Sequence, residues 1–225
     1  MEQFEPPVNP LPPVAIALAL LVFGVELIFS AGEMGFVGGP GAVGWRLNAL
    51  NDFGFTTLVW DFIVERGDYS LDLLRRFVTY PFVSGSFTSA LFGGALILAL
   101  GKFVGEIFGN VPTLIVFVVA TVFGAFAFGL LVGGQYPLYG AFTPVYGLIG
   151  AYTYVIFTRL GSVGGNQLQA FRLIAVLLAI QLVFGLIFGD NKMWVAELAG
   201  FIAGFCVSIL AAPGGWSAFL ARMRG

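Results

Sequence analysis

The stretch LYGAFTPVYGLIGAY, from Leu138 to Tyr152, decides the fold of this chain. It lies in a long hydrophobic segment, yet it contains three glycines, a proline and four aromatic residues. Lipid offers helices no hydrophobic drive to associate, so small residues that let two backbones approach closely are what hold membrane helices together. This composition favours a membrane helix packed tightly among others.

The whole chain has the composition of a membrane protein. Of its 225 residues 59% are hydrophobic and 10% are charged, and the mean hydropathy is +0.96. A soluble domain has about 25% charged residues, so the sequence indicates a single polytopic membrane domain. The net charge of -2 argues against a nucleic-acid partner. The chain has no histidine and one cysteine; it lacks the commonest metal ligand and general base, and we expect neither cofactor nor metal.

Six segments have the length of a membrane span, about 20 residues. They are Pro13–Ser30, Thr88–Phe108, Thr113–Leu131, Leu138–Thr158, Leu168–Phe188 and Met193–Ala211. The predicted fold is an all-α membrane bundle at residues 13–211. Residues 1–12 are expected to form an extended, proline-rich tail, and residues 212–225 a short cytoplasmic tail.

Glycine spacing predicts which spans pack together. Gly200 and Gly204 form a GxxxG pair in the last span, while Gly140, Gly147 and Gly150 recur along the fourth. We therefore expect the fourth and last spans to pack closely against each other.

The first connection, from about Ala31 to Phe87, is much longer than the others. Its pieces WRLNALNDF, TTLVWDFIVERG and SLDLLRRFV have helical spacing, which predicts short amphipathic helices in the membrane interface. Ser70 is the expected N-cap of the third piece, and Asp72 and Arg76 are spaced to pair. Glu26 and Glu33, around the end of the first span, are expected at the interface.

Basic residues give only a weak signal for orientation. An even number of spans places both termini on one side. Arg159 and Arg172 flank the fourth connection and Arg222 and Arg224 end the chain, so the positive-inside rule favours cytoplasmic termini. Four arginines in the first connection nearly balance that count. We expect a bacterial inner-membrane protein with both termini in the cytoplasm.

Three motifs resemble those of the rhomboid family of intramembrane serine proteases. GAFTPVYGLIGA (Gly140–Ala151) resembles the family's GASGAVFGLLGA, and AELAGFIAGF (Ala196–Phe205) resembles AHLGGFLAGF. Upstream, RRFVTYPFVSGSFTSALFGG resembles WRLVTYPFLHGSFTHLLFNM. The order, the spacing and the long first connection agree over roughly Leu74 to Ala211. The resemblance implies a rhomboid-like six-helix bundle with interfacial helices in its first loop.

This sequence departs from the family at the positions that the resemblance makes catalytic. The attacking serine falls on Phe142 and the histidine that takes its proton falls on Glu197. The oxyanion-binding histidine and asparagine fall on Ser89 and Gly93. The arginine of the WR pair is kept as Arg76, which we expect to anchor the first loop to its own backbone or to lipid phosphate.

These departures predict that the protein is not an enzyme. A nucleophile needs a hydroxyl or thiol beside a base, and the Phe142 ring has neither. Losing one oxyanion donor alone costs a serine protease about a hundred- to a thousandfold in rate. The alternative is a protease that uses the neighbouring Thr143 with Glu197 as its base. However, adjacent helical residues point about 100° apart, and Pro144 restrains Thr143.

The remaining hypothesis is a binding role. Ionisable groups within spans usually face the bundle interior or a wet cavity, so Glu197, Tyr146 and Thr143 are candidates for a polar groove. The competing interpretation is that Glu197 is a structural residue hydrogen-bonded to a neighbour such as Tyr146. The expected partners are membrane lipids and either a transmembrane client or a larger membrane complex. A small transporter or channel is a further alternative, disfavoured because few ionisable residues lie deep in the spans.

Overall fold

The computed structural model describes residues 10–188 and 192–212, and these are mostly helical. The predicted tails at residues 1–12 and 212–225 lie almost wholly outside this range. The elements, in chain order, are α1 (Pro13–Glu33), a 3-10 turn (Gly39–Gly44), α2 (Trp45–Phe53), β1 (Phe55–Thr56), α3 (Thr57–Arg66), α4 (Leu71–Thr79), a 3-10 turn (Tyr80–Phe82), α5 (Phe87–Phe108), α6 (Asn110–Leu131), β2 (Pro137–Leu138), α7 (Phe142–Ser162), a 3-10 turn (Gln167–Phe171), α8 (Arg172–Phe188) and α9 (Trp194–Ala211).

A helix lies at each of the six predicted spans, which confirms the all-α membrane bundle. By length and composition, α1, α5, α6 and α9 could each cross a membrane. α8 has 17 residues and α7 has 21. Most of α7 is buried, because it lies between α5, α6 and α9. A helix covered by its neighbours needs less apolar surface toward lipid, which explains how α7 accommodates glycine, proline and tyrosine.

The predicted helices of the first connection are all present as α2, α3 and α4. α3 buries Val59 and Ile63 in a cluster with residues of α6 and α9, and leaves Leu58 and Phe62 exposed. Ser70 does precede α4, but its side chain makes no capping hydrogen bond. Instead its backbone N–H donates to Asp68 Oδ1 at 3.0 Å.

A short strand pair ties the first connection to the loop before α7. Phe55 pairs with Leu138 and Thr56 with Pro137, antiparallel. The backbone N–H of Thr57 donates to the carbonyl of Tyr136 at 3.3 Å. Sequence reasoning missed this pairing, because two-residue strands more than 80 positions apart have no periodicity to detect.

Among the described helices, α7 and α9 make the most extensive contact, and glycines make it possible. A Cβ added to Gly204 would overlap the backbone of Gly147, and one added to Gly150 would overlap the carbonyl of Phe201. A Cβ on Gly200 would lie 2.5 Å from the carbonyl oxygen of Thr143. Gly140 is different: it precedes α7 in a turn with a φ of +86°, a conformation that suits glycine. Of the predicted packing set, only Gly140 therefore acts through backbone conformation.

A partly buried ion-pair cluster joins α1 to the first connection. Arg46 Nη2 donates to Glu26 Oε1 at 2.7 Å, and Arg46 Nε donates to Glu33 Oε1 at 2.7 Å. Arg46 Nη1 also donates to the carbonyl oxygen of Ser84 at 3.1 Å. The Glu26 side chain is only 3% exposed, so groups of the protein, and not water, balance its charge. The hydrogen bonds that Arg46 donates to Glu26 and Glu33 raise the pKa of Arg46, so its guanidinium stays charged.

Candidate functional site

Tyr80 connects several segments at the end of the bundle where the first connection lies. It is fully buried, and its hydroxyl donates to the carbonyl oxygen of Thr121 in α6 at 2.9 Å. Its own carbonyl accepts from the backbone N–H of Gly140 at 3.0 Å. Burial raises the pKa of Tyr80, so the hydroxyl keeps its proton. The turn before α5 and the turn before α7 are thereby held side by side.

A cavity of about 610 Å³ starts at this end and follows α5, α7 and α8. This is within the ~300–1,000 Å³ typical of ligand sites. Its lining residues are Gly85, Ser86, Ser89, Leu96, Leu100, Tyr139, Phe142, Val145, Tyr146, Ile149, Leu173, Leu177, Met193 and Glu197. Three of the four positions to which the resemblance assigns catalytic roles, Ser89, Phe142 and Glu197, therefore line one cavity.

The start of each helix positions these side chains. Phe142 is the first residue of α7, directly after the Gly140–Ala141 turn. Ser86 caps α5 by accepting from the backbone N–H of Ser89 at 3.2 Å, which sets Ser89 in the first turn. Gly93 faces Ala141 instead, since a Cβ placed on it would lie 3.1 Å from the Cβ of Ala141.

Glu197 lies in the first turn of α9 and is 7% exposed. The partial positive charge at the start of a helix favours a carboxylate there. Glu197 interacts electrostatically with Tyr146 and Tyr80. Tyr146 lies one turn after Phe142 and lines the same cavity, as the sequence suggested. The cavity therefore combines a carboxylate with a tyrosine on the neighbouring helix.

Thr143 does not belong to this groove. It is 2% exposed, does not line the cavity, and packs its methyl group toward Gly124 of α6 and Gly200 of α9. Its hydroxyl interacts with that of Tyr80. The prediction that Thr143 contributes to the groove is therefore wrong. The physical reason is the one anticipated for adjacent helical residues: when Phe142 faces the cavity, Thr143 turns toward the bundle core.

Arg76 anchors the first connection to its own backbone. Its Nη1 donates to the carbonyl oxygen of Asn51 at 2.6 Å and to that of Gly54 at 3.3 Å. The predicted pair with Asp72 is present but long, at 3.8 Å, while Arg75 approaches Asp72 at 2.5 Å. Arg76 thus connects α4 to the carboxyl end of α2 by hydrogen bonds, and it does not line the cavity.

Tyr139 and Met193 are among the cavity residues that sequence reasoning missed. Tyr139 lies over Gly85, where a Cβ would come within 2.8 Å of the tyrosine ring, and Met193 precedes α9. Tyr139 belongs to the stretch Leu138–Tyr152, but nothing in its spacing indicates where its ring points. Within residues 10–188 and 192–212, no group of three or more His, Cys, Asp or Glu side chains could hold a metal ion.

The model of the Rhomboid domain family matches residues 72–214, which is more than half of the chain. A search of curated proteins finds no match. The matched region begins in α4 and includes every described residue of the cavity lining.

Proposed function

We propose, from the premise that this chain belongs to the rhomboid family, that it is a non-proteolytic member that binds other membrane proteins. The observation that carries the proposal is the lining of the cavity by Phe142 and Glu197. These residues occupy the positions to which the family resemblance assigns a serine and a histidine. The chain is an integral membrane protein, and the proposal concerns what its cavity does.

The chemistry of the lining supports binding over hydrolysis. Attack on a peptide carbonyl needs a nucleophile whose proton an adjacent base removes. The hydroxyl next to Phe142, that of Thr143, is turned into the core and interacts with Tyr80. A protease built on Thr143 and Glu197 would have to turn Thr143 out of its contact with Gly124 and Gly200.

The shape of the cavity supports a helical client. It follows α5 and α8, with Leu96 and Leu100 on one side and Leu173 and Leu177 on the other. An apolar groove along two helices can receive the side chains of a third helix, and polar groups at one end set its depth. The client is either a protein in folding or degradation, or the main subunit of a larger membrane complex. Lipid contacts the remaining exposed apolar surface.

Site-specific photo-crosslinking in native membranes tests the proposal. A crosslinking side chain replaces Leu96 or Leu177, both in the cavity, and in a matched control it replaces Leu20, a 63% exposed position on α1. We expect discrete adducts with the same membrane protein from both cavity positions and none from Leu20. Identical adducts from all three positions, or none from the cavity, would contradict client binding.

A second assay tests the absence of hydrolysis. The purified protein is incubated with model transmembrane substrates and with an active-site probe that labels activated hydroxyls. We expect neither cleavage nor labelling. Cleavage that disappears in Glu197→Gln or in Thr143→Ala would replace this proposal with the protease alternative.

A further inference from the structure

The polar side chains of the cavity can all accept hydrogen bonds, and none of them is cationic. They are the carboxylate of Glu197 and the hydroxyls of Ser86, Ser89, Tyr139 and Tyr146, and no lysine or arginine belongs to the described lining. A carboxylate is an acceptor with a negative charge, and hydroxyls readily accept as well. The cavity is therefore complementary to a group that is cationic and rich in donors.

Aromatic rings add to this preference. Phe142, Tyr139 and Tyr146 belong to the same cavity lining as Glu197. A cation over an aromatic face is attracted by the ring quadrupole, more strongly where water is excluded. Replacing a hydroxyl by the ring of Phe142 thus removes a nucleophile and supplies a surface for a cation.

One end of the cavity is more polar than the rest. Glu197, Phe142 and Ser89 all lie in the first turn of their helices, at the end that carries the first connection. From Ser86 to Leu100 the lining advances 14 residues along α5, about 21 Å at the helical rise. Beyond the first turns, apart from Tyr146, it is formed by the apolar side chains of Leu96, Leu100, Ile149, Leu173 and Leu177. A matching ligand is long and apolar, with one cationic end.

We propose that the cavity selects clients whose membrane span carries a lysine about one turn from its end on the first-connection side, and that Glu197 receives its ammonium group. This inference rests on the proposed client-binding function. Lysine fits because its four-carbon stem can lie along apolar surface while the ammonium reaches the polar end. A lysine within a span is costly unless it is paired, so a client that has one gains from a cavity that supplies the partner.

Peptide binding to the purified full-length protein in dodecyl maltoside tests the inference, because this detergent has no amine of its own. Three fluorescent single-span peptides differ at one position near the end of the span, which is lysine, norleucine or glutamate. We expect the lysine peptide to bind about tenfold or more tightly than the norleucine peptide, and the glutamate peptide to bind most weakly. A fourth peptide, with lysine at the opposite end, is expected to bind like norleucine.

Two variants locate the effect. In Glu197→Gln the ratio of the affinities for the lysine and norleucine peptides is expected to fall to about one. Glu65→Gln, on the exposed face of α3, is the matched loss of an acid and is expected to keep the preference. The wild-type peptide series still decides the question if Glu197→Gln fails to fold.

The experiment distinguishes a failure of the lysine preference from a failure of the proposed client binding. Equal binding of the lysine and norleucine peptides would overturn the lysine preference and leave client binding intact. Binding of none of the peptides would overturn both. If added phosphatidylethanolamine or phosphatidylcholine abolishes the lysine preference, the site belongs to a lipid headgroup and the proposal is wrong.

Discussion

At the scale of single residues, the ion pair of Arg46 with the buried Glu26 contributes most to the stability of the fold. Glu26 lies on a membrane-spanning helix and is 3% exposed. An isolated charge there would cost several kcal/mol. Arg46 reaches it from 20 residues away, and Ser30 Oγ donates to the same carboxylate at 3.0 Å. Because Arg46 also binds the carbonyl of Ser84, the pair links α1 to the loop that precedes the cavity residues of α5.

Replacing Arg46 should therefore destabilise the protein strongly. We expect Arg46→Gln to lower the free energy of unfolding by about 3–5 kcal/mol, because Glu26 is left buried without its cation. Unfolding in mild detergent, followed by circular dichroism, measures the change. Arg75→Gln is the matched control: Arg75 pairs with an exposed Asp72, and its loss should cost at most about 1 kcal/mol.

A double variant separates pairing from packing. Glu26→Gln combined with Arg46→Gln removes the charge along with its partner, so we expect it to be more stable than Arg46→Gln alone. If Arg46→Gln is no more destabilising than Arg75→Gln, the pair does not have the structural role assigned to it.

At the scale of elements, the contact of α7 with α9 positions the cavity. Phe142 and Tyr146 come from α7 and Glu197 from α9, so their separation depends on how closely the two backbones approach. That approach requires glycine on both helices, with Gly204 against the backbone of Gly147. A carbonyl oxygen cannot move aside as a flexible side chain can, so even a methyl group has no room.

Gly204→Ala should therefore separate the helices. We expect a loss of about 3 kcal/mol, at the upper end for overpacking because the obstacle is backbone. Thermal unfolding of the detergent-solubilised protein measures it. Gly24→Ala is the matched control, since a Cβ on Gly24 in α1 meets nothing within 4 Å. Alanine there should be neutral or stabilise the helix by up to about 1 kcal/mol, so equal effects would refute the packing argument.

At the scale of the whole molecule, the bundle has two unlike ends. The first connection, the strand pair and the polar part of the cavity share one end, and the connection from α7 to α8, with Arg159 and Arg172, lies at the other. We propose that the latter end is cytoplasmic in a bacterial inner membrane, with both termini on that side. The arginines beside that short connection support this orientation.

Cysteine labelling in intact bacterial cells tests the orientation. We expect a membrane-impermeant maleimide to label Glu65→Cys, in α3, before the cells are opened, and to label Val163→Cys, after α7, only afterwards. Wild-type protein, with Cys206 on the apolar helix α9 as its sole cysteine, is the background control. The reverse pattern would invert the orientation, and labelling of both in intact cells would contradict their placement at opposite ends.

The sequence by itself determined the class, the six helices and the family. Span length, glycine spacing and three contiguous motifs are local properties, and a helix in lipid satisfies its own backbone hydrogen bonds without help from its neighbours. The Gly200–Gly204 repeat even indicated which helices meet. Only the tertiary structure showed that Tyr139 lines the cavity and that Thr143 does not. It alone also showed that Arg46 pairs with Glu26 and that β1 pairs with β2. Each of these depends on the direction of a side chain or on contacts between distant segments, which only the packed bundle sets.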